Sequence, residues 1–143
     1  DLLSIPILYL SKYILRHRMV YYNLLQQVRT DDFWEKWVVY MLEMIEQASV
    51  DAIAIINQIR VAMAETKTAI RSSFKFYSQD LINSLYMHPY TKIQLIAKEL
   101  GVTRITATRY LSALESVGIL KKETRGRTNY FINNALVEII TQS

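Results

Sequence analysis

Apolar residues recur at three- and four-residue steps through about the first 75 positions, the periodicity of helices that bury one face. All three glycines lie beyond residue 100, so little in this half interrupts a helix. Asp32 is an expected N-cap, with Glu35 three residues later. The helix that follows is predicted to bury Phe33, Trp34, Trp37, Val38, Met41, Leu42 and Ile45. We therefore expect a bundle of long helices.

The same spacing continues from Ile53 to Ile70 and becomes polar at residues 66–68. We interpret the far end of this helix as a connector between two domains. Residues 1–77 are then a helical segment, and residues 78–143 form a second domain.

The second domain opens with signals for short helices. Ser78 is a predicted N-cap, and Pro89 ends the helix that it begins. Thr91 and Gln94 form an expected capping box for the next helix.

Gly101 lies where that helix needs a left-handed C-cap, and Thr103 caps a third helix after a turn of about three residues. This is the spacing of a helix-turn-helix. The third helix is predicted to bury Ala107, Leu111, Leu114 and Val117.

Beyond Gly118 the hydrophobic period changes from 3.6 to 2, which indicates strands at residues 119–120 and 129–132. The polar residues 121–128 between them predict a hairpin loop, and Asn133 or Asn134 is expected to cap a last helix. The predicted fold is mainly α, with a helical bundle segment followed by a winged helix-turn-helix domain of three helices plus a β-hairpin wing.

The third helix of such a domain enters the DNA major groove by its N-terminal end, and the wing contacts the backbone or the minor groove. The residues expected to contact DNA are Thr103, Arg104, Ile105, Thr106, Thr108 and Arg109 of the helix, and Lys121, Lys122, Arg125 and Arg127 of the wing. The alternative is a winged helix that contacts protein, with these basic residues solvated.

The charge distribution favours a polyanionic partner for the second domain. Residues 1–86 hold nine basic and nine acidic residues, whereas residues 87–143 hold eight basic and four acidic ones. The entire net charge of +4 therefore lies in the last 57 residues. DNA is the expected partner, with a basic solvated face as the alternative.

Other compositional features narrow the class further. The absence of cysteine excludes disulfides and thiolate metal sites, and no His or carboxylate cluster suggests a metal. No apolar run approaches the roughly 18 residues of a membrane-spanning helix. We expect a cytoplasmic protein without membrane contact.

Two resemblances to known families extend this interpretation. Residues 96–103 (IAKELGVT) and 110–120 (YLSALESVGIL) resemble winged-helix transcription factors of bacteria. Residues 2–14 (LLSIPILYLSKYI), 21–29 (YYNLLQQVR) and 34–37 (WEKW) resemble the C-terminal helices of Fic-family proteins. Several bacterial Fic proteins carry a winged helix after these helices.

The Fic resemblance implies a parent enzyme that transfers AMP from ATP, with Mg²⁺, to a hydroxyl of a target protein. The family's catalytic loop reads His-Pro-Phe-x-Asp/Glu-Gly-Asn-x-x-Arg, and the resemblance implies that it lies upstream of Asp1. His88-Pro89-Tyr90 is not that loop, because Thr91-Lys92-Ile93 stand where Gly-Asn should follow. His17 is interpreted as a surface residue. We therefore expect no catalytic residue, metal or cofactor in this chain.

Three functional hypotheses follow. The chain is the C-terminal part of a Fic-type adenylyltransferase whose winged helix binds DNA or regulates the parent. Alternatively, it is a self-contained transcriptional regulator with an N-terminal helical dimerisation domain, or its winged helix serves protein–protein contact. The expected partners are DNA, the catalytic domain of the same protein and a second copy in a homodimer, since the aromatic-rich helices are expected to expose apolar area.

Overall fold

A computed structural model describes residues 8–142, which form seven helices and a three-stranded antiparallel sheet. The chain divides into two compact units, Asp1–Ile56 and Asn57–Ser143. The first is helical, and the second contains the sheet. The mainly α fold class, a helical segment followed by a winged helix-turn-helix, is confirmed.

Three helices run through the first half: α1 (Leu10–Arg16), α2 (Arg18–Asp31) and α3 (Trp34–Ser73). Asp32 does not cap α3 as predicted. It ends α2 in the left-handed region, with a φ of 57°, and its carboxylate accepts a 2.6 Å hydrogen bond from the indole nitrogen of Trp34. A short acidic side chain tolerates this conformation because it can bond locally.

Aromatic rings form the centre of the helical unit around Tyr40, which is 5% exposed. The ring centroids of Tyr13, Tyr21 and Trp37 lie 5.8, 6.4 and 6.3 Å from that of Tyr40. Met44 and Ala48 continue the buried strip along α3. This unit is therefore held together by ring packing from all three helices.

The predicted buried face of α3 is wrong for most of its members. Trp37 and Met41 are partly buried, whereas Phe33, Trp34, Val38, Leu42 and Ile45 are exposed. Apolar residues cover more than half of the circumference of this helix, so periodicity cannot select the strip that packs inward. The tyrosines of α1 and α2 select the side that carries Tyr40.

The second unit contains α4 (Gln79–Met87), β1 (Tyr90–Thr91), α5 (Ile93–Glu99), α6 (Arg104–Ser116), β2 (Leu120–Arg125), β3 (Thr128–Asn133) and α7 (Asn134–Gln142). Its core is apolar. The core residues are Ile70, Leu81, Ile82, Leu85, Ile96, Ala107, Leu111, Leu114, Leu120 and Phe131. Ile70 belongs to α3, so the helix end interpreted as a connector contributes to this core.

The helix-turn-helix forms through the local signals predicted for it. The Ser78 hydroxyl accepts from Leu81 N, and the Thr103 hydroxyl accepts from Thr106 N, so both N-caps are confirmed. Gly101 has a φ of 62°, and Val102 N donates to Ala97 O over 3.0 Å. This Schellman arrangement ends α5 and turns the chain into α6.

The predicted capping box at the start of α5 is wrong. Thr91 is buried and lies in β1, a two-residue strand that the hydrophobic pattern did not indicate, and the N-cap of α5 is Lys92. The short strand forms because Tyr90 and Thr91 pair with Ile132 and Phe131 of β3. This long-range pairing leaves no periodic signal in two residues.

The hairpin is longer and its turn tighter than predicted. The sheet order is β1-β3-β2, and the β2–β3 register runs from Leu120↔Asn133 to Arg125↔Thr128. Only Gly126 and Arg127 form the turn, so the predicted loop at residues 121–128 is wrong. Gly126 has a φ of 61°, as the first central residue of a type II′ turn requires.

Asn133 joins the sheet to the helices. Its amide nitrogen donates to Leu85 O over 3.1 Å, and its amide oxygen accepts from Leu136 N over 3.2 Å. Its backbone nitrogen donates to Pro89 O over 2.9 Å. Of the two predicted caps for α7, Asn133 is therefore the one that forms.

Candidate nucleic-acid interface

The N-terminal turns of α6 display a mixed polar and apolar surface. Arg104, Ile105, Thr108 and Arg109 are exposed, whereas Ala107 and Leu111 are buried beneath them. This division follows from the 3.6-residue period, since Ala107 and Leu111 are four residues apart on one face. Ile105 is 84% exposed, the largest exposed fraction among the large apolar residues in the described part of the chain.

The threonines of this segment hold its backbone as well as facing solvent. The hydroxyls of Thr103 and Thr106 are 3.0 Å apart, and Thr108 Oγ1 donates to Arg104 O over 2.8 Å. The donor of Thr108 is therefore used within the helix. These hydrogen bonds stabilise the backbone at the start of α6.

Aromatic stacking supports the middle of α6. The Tyr110 ring lies parallel to that of Phe76, with centroids 4.2 Å apart, and Phe76 stacks on Phe74 at 4.8 Å. The guanidinium of Arg109 lies 5.8 Å from the centre of the Tyr110 ring. Arg109 thus has a preferred position on the exposed side of α6.

Three cations converge on a groove between the starts of α5 and α6 and the turn of the wing. The groove has a volume of about 280 Å³. Its lining residues are Lys92, Ile93, Gln94, Arg104, Arg127, Thr128 and Asn129. No carboxylate is among these residues, and we call this feature the basic groove.

Lys92 was not among the residues predicted to contact a ligand. Its ammonium lies 4.7 Å from the centre of the Tyr130 ring, which holds the side chain beside the sheet. A basic residue just before α5 could have indicated a phosphate contact, but the predicted capping box assigned the start of this helix to Thr91 instead. Tyr130 also contacts Tyr90 edge to face, with centroids 5.5 Å apart.

The other predicted wing residues are arranged differently from Arg127. Lys121, Glu123 and Arg125 alternate along β2, and their register partners are Ile132, Tyr130 and Thr128 of β3. All six side chains share the face of the sheet opposite Phe131, which we call the outer face. Lys122, exposed, pairs in register with Phe131 on the other face.

Among residues 8–142, no three His, Cys, Asp or Glu side chains cluster as a metal site would need, and no helix is both long and apolar enough to span a bilayer. Burial raises the pKa of Tyr86, while hydrogen bonds from Thr66 and Asn133 lower it and Glu65 raises it. The Tyr86 hydroxyl lies 2.9 Å from Thr66 Oγ1. This polar contact supports the packing of α3 on α4 and is separate from the basic groove.

These elements define a winged helix-turn-helix protein with a basic groove between its third helix and its wing. The family model for the C-terminal domain of SoFic-like protein adenylyltransferases matches residues 62–136, more than half of the chain. The chain belongs to this family. The match contains every residue of the basic groove and starts within α3, and it confirms the Fic resemblance.

Proposed function

We propose that the second unit binds duplex DNA, with α6 in the major groove and the phosphate backbone in the basic groove. The observation that carries this proposal is the convergence of Lys92, Arg104 and Arg127 on one groove without a carboxylate in its lining. Cations so placed neutralise phosphates and release their counterions, which supplies most of the affinity of non-specific binding.

The position of Arg104 strengthens the electrostatic argument. It is the first residue of α6, a helix of 13 residues, where the unpaired backbone N–H groups carry a partial positive charge. The side-chain charge and the helix terminus therefore act in the same direction on a phosphate. Net charge agrees, since the last 57 residues carry the whole excess of +4.

Base contacts would come from the exposed side chains further along α6. Arg109 has the donor geometry for guanine, and Ile105 would meet a thymine methyl group. An isoleucine that is 84% exposed gains from any partner that removes it from water. Phosphate oxygens only accept hydrogen bonds, so one hydroxyl of the Thr103–Thr106 pair would donate to the DNA backbone, whereas Thr108 already donates within the helix.

In this proposal the chain is the C-terminal part of a Fic-type adenylyltransferase, and AMP transfer with ATP and Mg²⁺ belongs to its catalytic domain. The helical unit would pack on that domain through the exposed strip of α3. Trp34, Val38, Leu42 and Ile53 along this strip are 56%, 50%, 61% and 59% exposed. Exposed apolar residues grouped on one helix mark an interaction surface.

The test is fluorescence anisotropy of a labelled random-sequence duplex, titrated with the protein at several salt concentrations. We expect saturable binding. The logarithm of the association constant should fall linearly with the logarithm of salt concentration, with a slope of about −3 for three phosphate contacts. The double variant Arg104→Gln with Arg127→Gln should lose at least about tenfold in affinity and about two units of slope.

The matched control removes two exposed arginines from α2, Arg18→Gln with Arg29→Gln, and changes net charge equally. An equal loss in both double variants would mean that overall charge, not the groove, attracts DNA. Absence of binding at about 50 mM salt, where phosphate contacts are strongest, would refute the proposal and favour a protein partner.

A further inference from the structure

The wing carries four basic residues, but two of them share one carboxylate. Lys121 Nζ lies 3.2 Å from Glu123 Oε1, and Arg125 Nη2 lies 3.6 Å from Glu123 Oε2. Glu123 thus bridges both cations with its two oxygens. The Glu123 side chain is 32% exposed, whereas those of Lys121 and Arg125 are 64% and 79% exposed.

Strand geometry explains this arrangement. Residues 121, 123 and 125 alternate along β2, so their side chains leave the same face of the sheet about 7 Å apart in steps of two residues. Glu123 is in the centre of the three, within reach of both neighbours. On the adjacent strand Tyr130 is its register partner, and Lys92 lies over that ring.

The pairing has an electrostatic consequence for the DNA site. Arg127 at the turn lines the basic groove, whereas Lys121 and Arg125 are not among the groove's lining residues and are neutralised in part by Glu123. Glu123 also places a negative charge on the wing, where it opposes an approaching phosphate. A carboxylate at this position lowers DNA affinity in two ways: it pairs with two cations, and it repels phosphate.

We propose that Glu123 limits the DNA affinity of the wing. By pairing with Lys121 and Arg125 it keeps both cations from contacting phosphate, so that the basic groove makes the main phosphate contacts. This inference rests on the proposed DNA binding. It predicts that removing the charge frees two flexible, exposed cations to reach the DNA backbone. DNA affinity and its salt dependence should then rise together.

The experiment measures duplex binding by anisotropy for the full chain and for Glu123→Gln across a salt series. We expect Glu123→Gln to bind about five- to tenfold more tightly at 50 mM salt, with a salt slope steeper by about one to two units. The control is Glu115→Gln, which changes net charge equally at an exposed position near the C-terminal end of α6. It should change affinity by less than about twofold.

A second comparison separates released cations from simple loss of repulsion. Arg125→Gln is made in the unsubstituted protein and in Glu123→Gln, and the loss of affinity should be several times larger in the latter. Equal losses in both backgrounds, or equal gains from Glu123→Gln and Glu115→Gln, would overturn the inference. If the unsubstituted protein and Glu123→Gln both fail to bind at 50 mM salt, the proposed function itself fails.

Discussion

Asn133 is the side chain whose loss should cost the second unit most for its size. In Asn133→Leu, Leu136 N loses its cap and Leu85 O loses a buried donor. Loss of an N-cap costs about 1 kcal/mol, and a buried carbonyl left unpaired costs about 1–3 kcal/mol. We therefore expect the free energy of unfolding to fall by about 2–4 kcal/mol, a large fraction of the stability of a small domain.

The measurement is urea denaturation followed by far-ultraviolet circular dichroism. Both tryptophans, Trp34 and Trp37, lie in the helical unit, so their fluorescence provides a separate signal for that unit. Asn133→Asp refines the test, because it keeps an oxygen for Leu136 N but sets an acceptor against Leu85 O. Because position 133 is buried, the carboxylate must also be desolvated, so Asn133→Asp should be no more stable than Asn133→Leu at neutral pH.

The control is Asn134→Ala, which removes a single exposed hydrogen bond, 3.2 Å long, to Gly118 O. A loss of about 0.5 kcal/mol is expected there. If Asn133→Leu costs no more than Asn134→Ala, the reasoning that Asn133 joins the sheet to the helices is refuted.

Three further predictions concern the two cores and the titration of Tyr86. Tyr40→Phe should raise the free energy of unfolding by about 1 kcal/mol in urea denaturation, because the buried Tyr40 hydroxyl has no hydrogen-bond partner among the described residues; a loss of stability would contradict this. Leu111→Ala should lower it by about 2–5 kcal/mol, since Leu111 is fully buried on α6, whereas exposed Ser112→Ala should change it by less than about 0.5 kcal/mol. Because the pKa of Tyr86 is raised, its contribution to stability is present below pH 10, the ordinary tyrosine pKa, and is lost as pH rises towards its pKa in the folded state. The urea denaturation midpoint should therefore fall less over that pH range in Tyr86→Phe than in the unsubstituted protein.

Local signals identified the helix-turn-helix correctly because the interactions that form it are local. Ser78 and Thr103 each bond a backbone nitrogen three residues later, and Gly101 adopts a conformation that other residues resist. Gly126 likewise adopts a positive φ at the turn of the wing, although the loop around it was predicted too long. Each of these features depends on residues only a few positions apart in the sequence.

Residues distant in the sequence determine two other features. These are the strip of α3 that is buried and the strand β1. Tyr40 faces inward because rings of α1 and α2 meet it, and β1 exists because β3 offers backbone partners to Tyr90 and Thr91. Neither partner is near in sequence. A hydrophobic period reports that a face is apolar but not what covers it.

The candidate site shows the same division between sequence and tertiary structure. Sequence alone identified Arg104 and Arg127 as basic residues at a helix start and a wing, which follows from charge and spacing. Only the folded chain brings them together with Lys92, from a third element. Lys121, Glu123 and Arg125 share one face because β2 extends through residues 120–125, where a loop was predicted. Charge is a property of each residue, whereas its effect depends on neighbours within a few ångströms, and tertiary structure alone decides which residues those are.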